Sequence, residues 1–295
     1  MPIRPLTATD VDAVAEVEFA ASHEVALRHG MRPPVRAVRE SRAVVRGLLA
    51  ADPLGGFVAE EDGRVVGHAW IHARGPIAVV GPIAVEPAMQ RRGLGRALLV
   101  HCLQAAGSRT TQVRLVHDGY DTGALELWMS EGFRIVAPVL ELELPAGAAV
   151  PAAVPAASVT LRPATTSDQA RIVSRDTRTF GAARAQDVER LLRAGRGVIA
   201  ERGKAVVGFA LGGFGRLGPA AADEPALVLA LLATLADDPA LRGNRLRVMV
   251  VATDRALVDG LRGMGLRVVR TCLYMIRGGG TAPPAGYVLM GGHYA

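Results

Sequence analysis

The chain has 295 residues, a length that suits two domains, and with 50% hydrophobic and 21% charged residues each half can build a core, mostly of Ala, Val and Leu because aromatics are only 4%. The formal charge is +6, but the basic residues are spread along the chain, are nearly all Arg with Lys204 the single Lys, and accompany no base-reading motif, which argues against nucleic-acid binding. Met1 to Pro5 contains no apolar signal core, and the longest apolar run, Ala226 to Ala236, is too short to span a bilayer, so a cytoplasmic protein with no membrane partner is expected. Cys102 and Cys272 sit far apart inside apolar segments and read as free thiols, with no disulfide and no metal site.

In chain order, Ile3 to Pro5 begins a strand, and Thr7 or Thr9 can cap a helix across Val11 to Phe19. Val35 to Leu49 carries apolar residues at helical spacing. Gly56 to Glu60 and Arg64 to Ala73 read as a hairpin turned at Glu61-Asp62-Gly63. Ile77 to Val85 is the next strand, followed by the glycine-rich turn Gln90-Arg91-Arg92-Gly93-Leu94-Gly95-Arg96-Ala97 and a helix to about Ala106. Val113 to His117 forms a strand, Gly123 to Glu131 a helix that Gly132 ends at its C′ position, and Val136 to Leu142 a last strand. The expected fold class is α/β (α+β), with a mixed, mostly antiparallel sheet flanked by helices.

This pattern occurs twice. Ile3-Arg4-Pro5 with Asp10 is echoed by Leu161-Arg162-Pro163 with Asp168, and Val58-Ala59-Glu60 by Ile199-Ala200-Glu201. Gly81-Pro82-Ile83-Ala84 returns as Gly218-Pro219-Ala220-Ala221, and Gly132-Phe133-Arg134 as Gly265-Leu266-Arg267. Between the copies, Leu144 to Ser158 has no charge and three prolines, the composition of a semi-extended linker. The expected organisation is a first domain at 1–143, a Pro/Ala linker at 144–158 and a second domain at 159–295.

A glycine-rich turn between strand and helix lets free backbone N–H groups face a phosphate, with nearby Arg adding charge. A dinucleotide fold needs a third glycine, but Leu98 stands there, and no acidic residue lies between Glu86 and Asp118 to hold a ribose. The Gly-Lys-Ser/Thr of a Walker A loop is also missing.

Gln90, Gly93 and Gly95 instead fill the Gln/Arg-x-x-Gly-x-Gly/Ala pattern that resembles the acyl-CoA loop of the GNAT superfamily of N-acetyltransferases. Ala124, Leu127, Gly132 and Phe133 match a second GNAT-like signature, with Asp121 where Asn is usual and Trp128 where Tyr is usual. The resemblance implies two tandem GNAT-like domains, the second degenerate. It also implies that Ile83, Ala84 and Val85 meet the pantetheine arm, that amides of Arg91, Arg92, Gly93, Leu94, Gly95, Arg96 and Ala97 take the pyrophosphate, and that Asp121 and Trp128 border the thiol end. The function implied is an acetyl-CoA-dependent N-acyltransferase using a small-molecule or protein amine, as a monomer (a pseudo-dimer of domains) or a homodimer; the alternative is a non-catalytic acyl-CoA sensor.

Trp128 carries no acidic hydroxyl, so the proton for the leaving thiolate comes from the amine or from water, or Tyr120 in the preceding turn supplies it. The candidate bases are His117, Asp118 and His72. In the second copy, Asp223 and Glu224 stand where an anion would need positive charge, and Leu261 takes the Tyr position; that copy is expected to keep the fold without binding CoA through the usual loop.

Overall fold

The computed structural model describes residues 1–151, 158–194, 196–213 and 215–292; residues 152–157 of the expected linker lie outside the described residues. Cα packing divides the chain into two units, one of Met1–Leu115, Tyr120–Phe133 and Arg277–Gly279, the other of Val116–Gly119, Arg134–Ile276 and the chain from Gly280 on.

The first unit begins with β1 (Ile3–Pro5) and α1 (Val11–Arg28). α1 continues well past Phe19, because no breaker intervenes before Gly30 at φ +66° and Arg28 pairs with Glu24 one turn back. α2 (Val38–Ala51) starts only after Pro33 and Pro34. β2 (Gly56–Glu61) and β3 (Arg64–Arg74) form the expected hairpin, with Asp62 at φ +51° and Gly63 at +76°, the positive pair that a tight two-residue turn requires. β4 (Ile77–Val85), α3 (Leu94–Ala105), β5 (Gln112–Asp118) and α4 (Thr122–Ser130) follow. The strand order is β1-β2-β3-β4-β5, antiparallel until β4 meets β5 in parallel. One face of β3 turns Gly67 toward Leu94 and Leu98 of α3, and the other turns His68 toward Glu18 of α1.

In the second unit, β6 (Arg134–Leu144) pairs with strands far along the chain. Next come β7 (Thr160–Pro163), α5 (Gln169–Phe180), α6 (Ala185–Arg193), β8 (Gly197–Arg202), β9 (Ala205–Gly213) and β10 (Arg216–Ala222). The unit is completed by α7 (Pro225–Ala236), β11 (Leu246–Val251), α8 (Arg255–Gly263), β12 (Arg267–Gly278) and β13 (Tyr287–Leu289). Its strand order is β12-β6-β11-β13-β10-β9-β8-β7. The sequence repeats place β6 with the first copy, whereas the structure groups it with the second. Its leucines join that core through Leu142 and Leu144, and its buried Glu141 accepts hydrogen bonds from Arg216 (2.8 Å) and Arg270 (3.0 Å). Burial alone would raise the pKa of that carboxyl, but Arg216, Arg270 and Arg247 together hold it below its ordinary range.

The duplication is visible atom by atom. Arg4 grips Asp10 with two bonds of 2.8 Å and reaches Glu60 at 2.6 Å. Arg162 grips Asp168 at 2.9 and 2.8 Å and reaches Glu201 at 2.9 Å. In each copy the aspartate also accepts from a preceding threonine, Thr7 or Thr165, closing a capping box ahead of the first helix. α4 and α8 repeat a second device, an aspartate N-cap: Asp121 accepts from the Ala124 N–H at 3.2 Å, and Asp254 from the Leu257 N–H at 3.1 Å.

Candidate functional site

The turn between β4 and α3 is held by its own sequence. The Gln90 amide donates to the Val85 carbonyl at 3.1 Å, which fastens the turn to the end of β4, and Met89 is buried beneath it. Arg91 (φ +63°) and Gly93 (φ +81°) both take left-handed backbone, the alternation that turns successive N–H groups toward one side. The first helical bond of α3 runs from Ala97 N–H to Gly93 O at 3.0 Å, so the N–H groups of Leu94, Gly95 and Arg96 lie ahead of it at the positive end of the helix. Ala97's own amide is therefore committed to the helix.

The two glycines do different work. A Cβ on Gly93 would meet nothing within 4 Å, so only its backbone angle demands glycine. A Cβ on Gly95 would lie 3.7 Å from Leu127 and 4.0 Å from Val85, ordinary contacts directed into the protein. Arg91 and Arg92 are exposed. Arg96 instead bonds Glu131 and, at 2.9 Å, the Ser130 hydroxyl, which directs its charge along α4.

Beside this turn, the parallel ladder between β4 and β5 pairs only Ile77, Ala78 and Val79 with Gln112, Val113 and Arg114. Ile83, Ala84 and Val85 lie beyond the point where it stops. Trp128 is buried with its ring edge-on to Phe133, centroids 5.8 Å apart, and Asp121 caps α4. Tyr120 lies against the His29 ring at the end of α1, centroids 5.6 Å apart.

The candidate bases fall in both units. His72 is buried with Nδ1 2.5 Å from Asp52 Oδ2, and Arg74 makes two 2.8 Å bonds to the same carboxylate. Burial would raise the Asp52 pKa, yet the bonds from His72 and Arg74 bring it below the usual value. His117 is buried and belongs to the second unit, as does Asp118, which pairs with Arg270 at 2.9 Å and accepts from Cys272. Both thiols are buried, and burial pushes each pKa up to about 12, so neither is a ready nucleophile at neutral pH. Among the described residues, no group of three or more His, Cys, Asp or Glu could hold a metal ion, and no helix is long and apolar enough to cross a membrane.

One polar group escapes the sequence reading. On the α1 face of β3, His68 is fully buried with Nε2 3.1 Å from Glu18 Oε2. Trp70 follows two residues later on the same face, and its indole N–H, also fully buried, has no hydrogen-bond partner among the described residues. Neither does the buried hydroxyl of Ser41 on α2. The available signal was the period-two series His68, Trp70, His72 within an otherwise apolar strand.

Comparison with known proteins decides the family. The model of the acetyltransferase (GNAT) family matches residues 25–133 and that of an acetyltransferase (GNAT) domain matches 172–289, together well over half of the chain. The chain belongs to the GNAT acetyltransferases. Members of this family use acetyl-CoA. Two mycothiol acetyltransferases are similar over part of the chain: that of Thermobispora bispora is 41% identical over 90 residues and that of Thermomonospora curvata 40% over 86. Each alignment covers 28% of this GNAT chain and 30% or 28% of the relative, so less than a third of those proteins is matched. Solved structures share the fold. A GCN5-related N-acetyltransferase from Sphaerobacter thermophilus superposes with TM-score 0.68 at 18% identity, covering 95% of this chain and 97% of its own. A tandem GNAT protein from the clavulanic acid biosynthesis pathway gives 0.61 at 18% identity, covering 95% and 99%.

Proposed function

We propose that this GNAT protein transfers an acetyl group from acetyl-CoA to a primary amine of a small molecule, using the first copy. The observation that carries the reading is the turn Gln90–Ala97, whose left-handed Arg91 and Gly93 precede helix amides that have no helical partner. A pyrophosphate fits such a cradle, with Arg91 and Arg92 supplying positive charge. The freed section of β4, Ile83 to Val85, offers backbone groups to a pantetheine arm, and Trp128 with Asp121 borders its thiol end. The partial likeness to mycothiol acetyltransferases favours a small amine over a protein.

The acceptor amine must be neutral to attack the thioester carbonyl, and the thiolate that leaves must gain a proton. Attack is direct, because both Cys thiols are buried and protonated at neutral pH. An indole is no acid, so Trp128 packs while Tyr120, in the same unit as the turn, gives the proton. The buried His68 and Trp70 mark the α1 side of β3 as the polar side on which an amine would be received.

The second copy, with Asp223 and Glu224 ahead of α7, is proposed to bind no CoA through that helix end; Asp223 already pairs with Arg175 at 2.6 Å. Burial of Trp128 in place of a hydroxyl favours a second reading, an acyl-CoA sensor without turnover. Thiol release measured with acetyl-CoA and a broad panel of small amines separates the two. Amine-dependent release that falls in Tyr120→Phe supports the enzyme, and binding without release against the whole panel refutes it.

A further inference from the structure

The second copy contains a slot equivalent to the one between β4 and β5, and the structure fills it. The repeat aligns Gly81-Pro82-Ile83-Ala84 of β4 with Gly218-Pro219-Ala220-Ala221 of β10. β10 meets β11 in parallel at a single pair, Arg216 with Arg247. Beyond it β13 enters between them. On one side Val288 and Tyr287 pair with Ala220 and Ala221, the residues matching Ile83 and Ala84; on the other, Val288 and Leu289 pair with Val250 and Met249. Val288 thus has a strand on each side and is fully buried.

The surrounding sequence is shaped to this strand. A Cβ on Gly218 (φ +146°) would run into the Leu289 carbonyl, and one on Gly286 (φ +74°) would come within 2.9 Å of the Ala222 carbonyl. Before β13, the Gly286 N–H donates to Asp254 Oδ2 at 2.7 Å. Within it, the Tyr287 hydroxyl accepts from Arg184, which is itself clamped by Asp176 at 2.6 and 2.8 Å and stacked 4.1 Å from the Phe180 ring centroid. Just after it, the Met290 sulfur lies 3.7 Å from Arg184 Nη1. Arg184 and Asp176 are each only 1% exposed, so releasing β13 would strip a partner from a buried ion pair.

We infer that β13 is a resident peptide standing in the second copy where an acyl-CoA arm would stand, and that it closes this slot permanently. The inference rests on reading the β4–β5 slot of the first copy as the pantetheine slot. It gives the second copy a reason to lack acyl-CoA independent of Asp223 and Glu224: the backbone groups of Ala220 and Ala221 are already spent on the chain's own strand. The C-terminal segment is thereby anchored, and the chain takes one acyl-CoA at any concentration.

The test is hydrogen–deuterium exchange on the full chain, with and without 1 mM acetyl-CoA (about that concentration), followed peptide by peptide. Amides 287–289 are expected to exchange about a thousand-fold slower than unstructured ones, as in core strands, and to be unchanged by acetyl-CoA while 90–97 slows. In Tyr287→Phe, exchange at 287–289 should rise about tenfold with the response of 90–97 intact. If 90–97 responds but 287–289 exchanges like open chain, or acetyl-CoA alters 216–222 and 287–289, the closed slot is overturned alone. If 90–97 does not respond at all, the first-copy reading falls and takes this one with it.

Discussion

Replacing Gly93 and Gly95 by alanine, one at a time, separates backbone conformation from packing in the turn. Gly93 sits at φ +81° and ψ 0° as the N-cap of α3, and its Cβ would meet nothing, so Gly93→Ala carries only the left-handed penalty, about 1–2 kcal/mol. That energy must appear somewhere. If the free turn keeps its shape, the fold loses it; if the turn relaxes, acetyl-CoA must restore the shape, and binding weakens by about 5- to 30-fold, since 1.4 kcal/mol is tenfold. Gly95 is helical and its Cβ would make only ordinary contacts with Leu127 and Val85, so Gly95→Ala should be neutral or stabilise by up to about 1 kcal/mol through helix propensity. Titration calorimetry for acetyl-CoA and urea unfolding of the unliganded protein measure the two parts. Equal behaviour of the two variants, or a Gly93→Ala protein that matches the parent in both assays, refutes the assignment of the cradle to this backbone.

Other outcomes follow from single contacts. A Cβ at Gly56 would lie 2.8 Å from the Trp70 ring, so Gly56→Ala should destabilise by about 1–3 kcal/mol in urea unfolding, and an unchanged midpoint contradicts the packing described. Hydrogen bonds from Arg4 and Arg162 hold the carboxyls of Asp10 and Asp168 well below the ordinary carboxylate range. Their contribution to stability is full above the unfolded pKa of about 3.9 and is lost as pH falls through the lower folded values. Arg4→Met should therefore flatten the loss of stability below about pH 4, and unfolding curves that fall in parallel with the parent's would exclude this linkage. Because Cys102 and Cys272 are buried with raised pKa values, iodoacetamide at neutral pH should leave acetyl transfer intact, whereas rapid inactivation by it points to a thiol intermediate.

Local chemistry was readable in the sequence. Asp62-Gly63 announced its hairpin and Gln90 to Ala97 its turn, while the repeated Arg4/Asp10 and Arg162/Asp168 showed the duplication but not the ion networks they form. What escaped depends on partners far along the chain. β6 has the pattern of a last strand of the first copy, but Glu141 finds its cations at Arg216 and Arg270, and its leucines join the second core. β13 is three residues long with no periodicity to detect, and it exists because β10 and β11 leave a slot. His68 and Trp70 looked like any strand residues until burial left the Trp70 indole N–H without a partner.

The most direct test of a single acyl-CoA site in the first copy is the binding stoichiometry of acetyl-CoA, measured by calorimetry on the full chain and on Gly93→Ala. One equivalent per chain, in the parent and in a variant that either binds it more weakly or unfolds at lower urea, is the predicted result. Two equivalents, none, or one bound equally well by a variant as stable as the parent contradicts it.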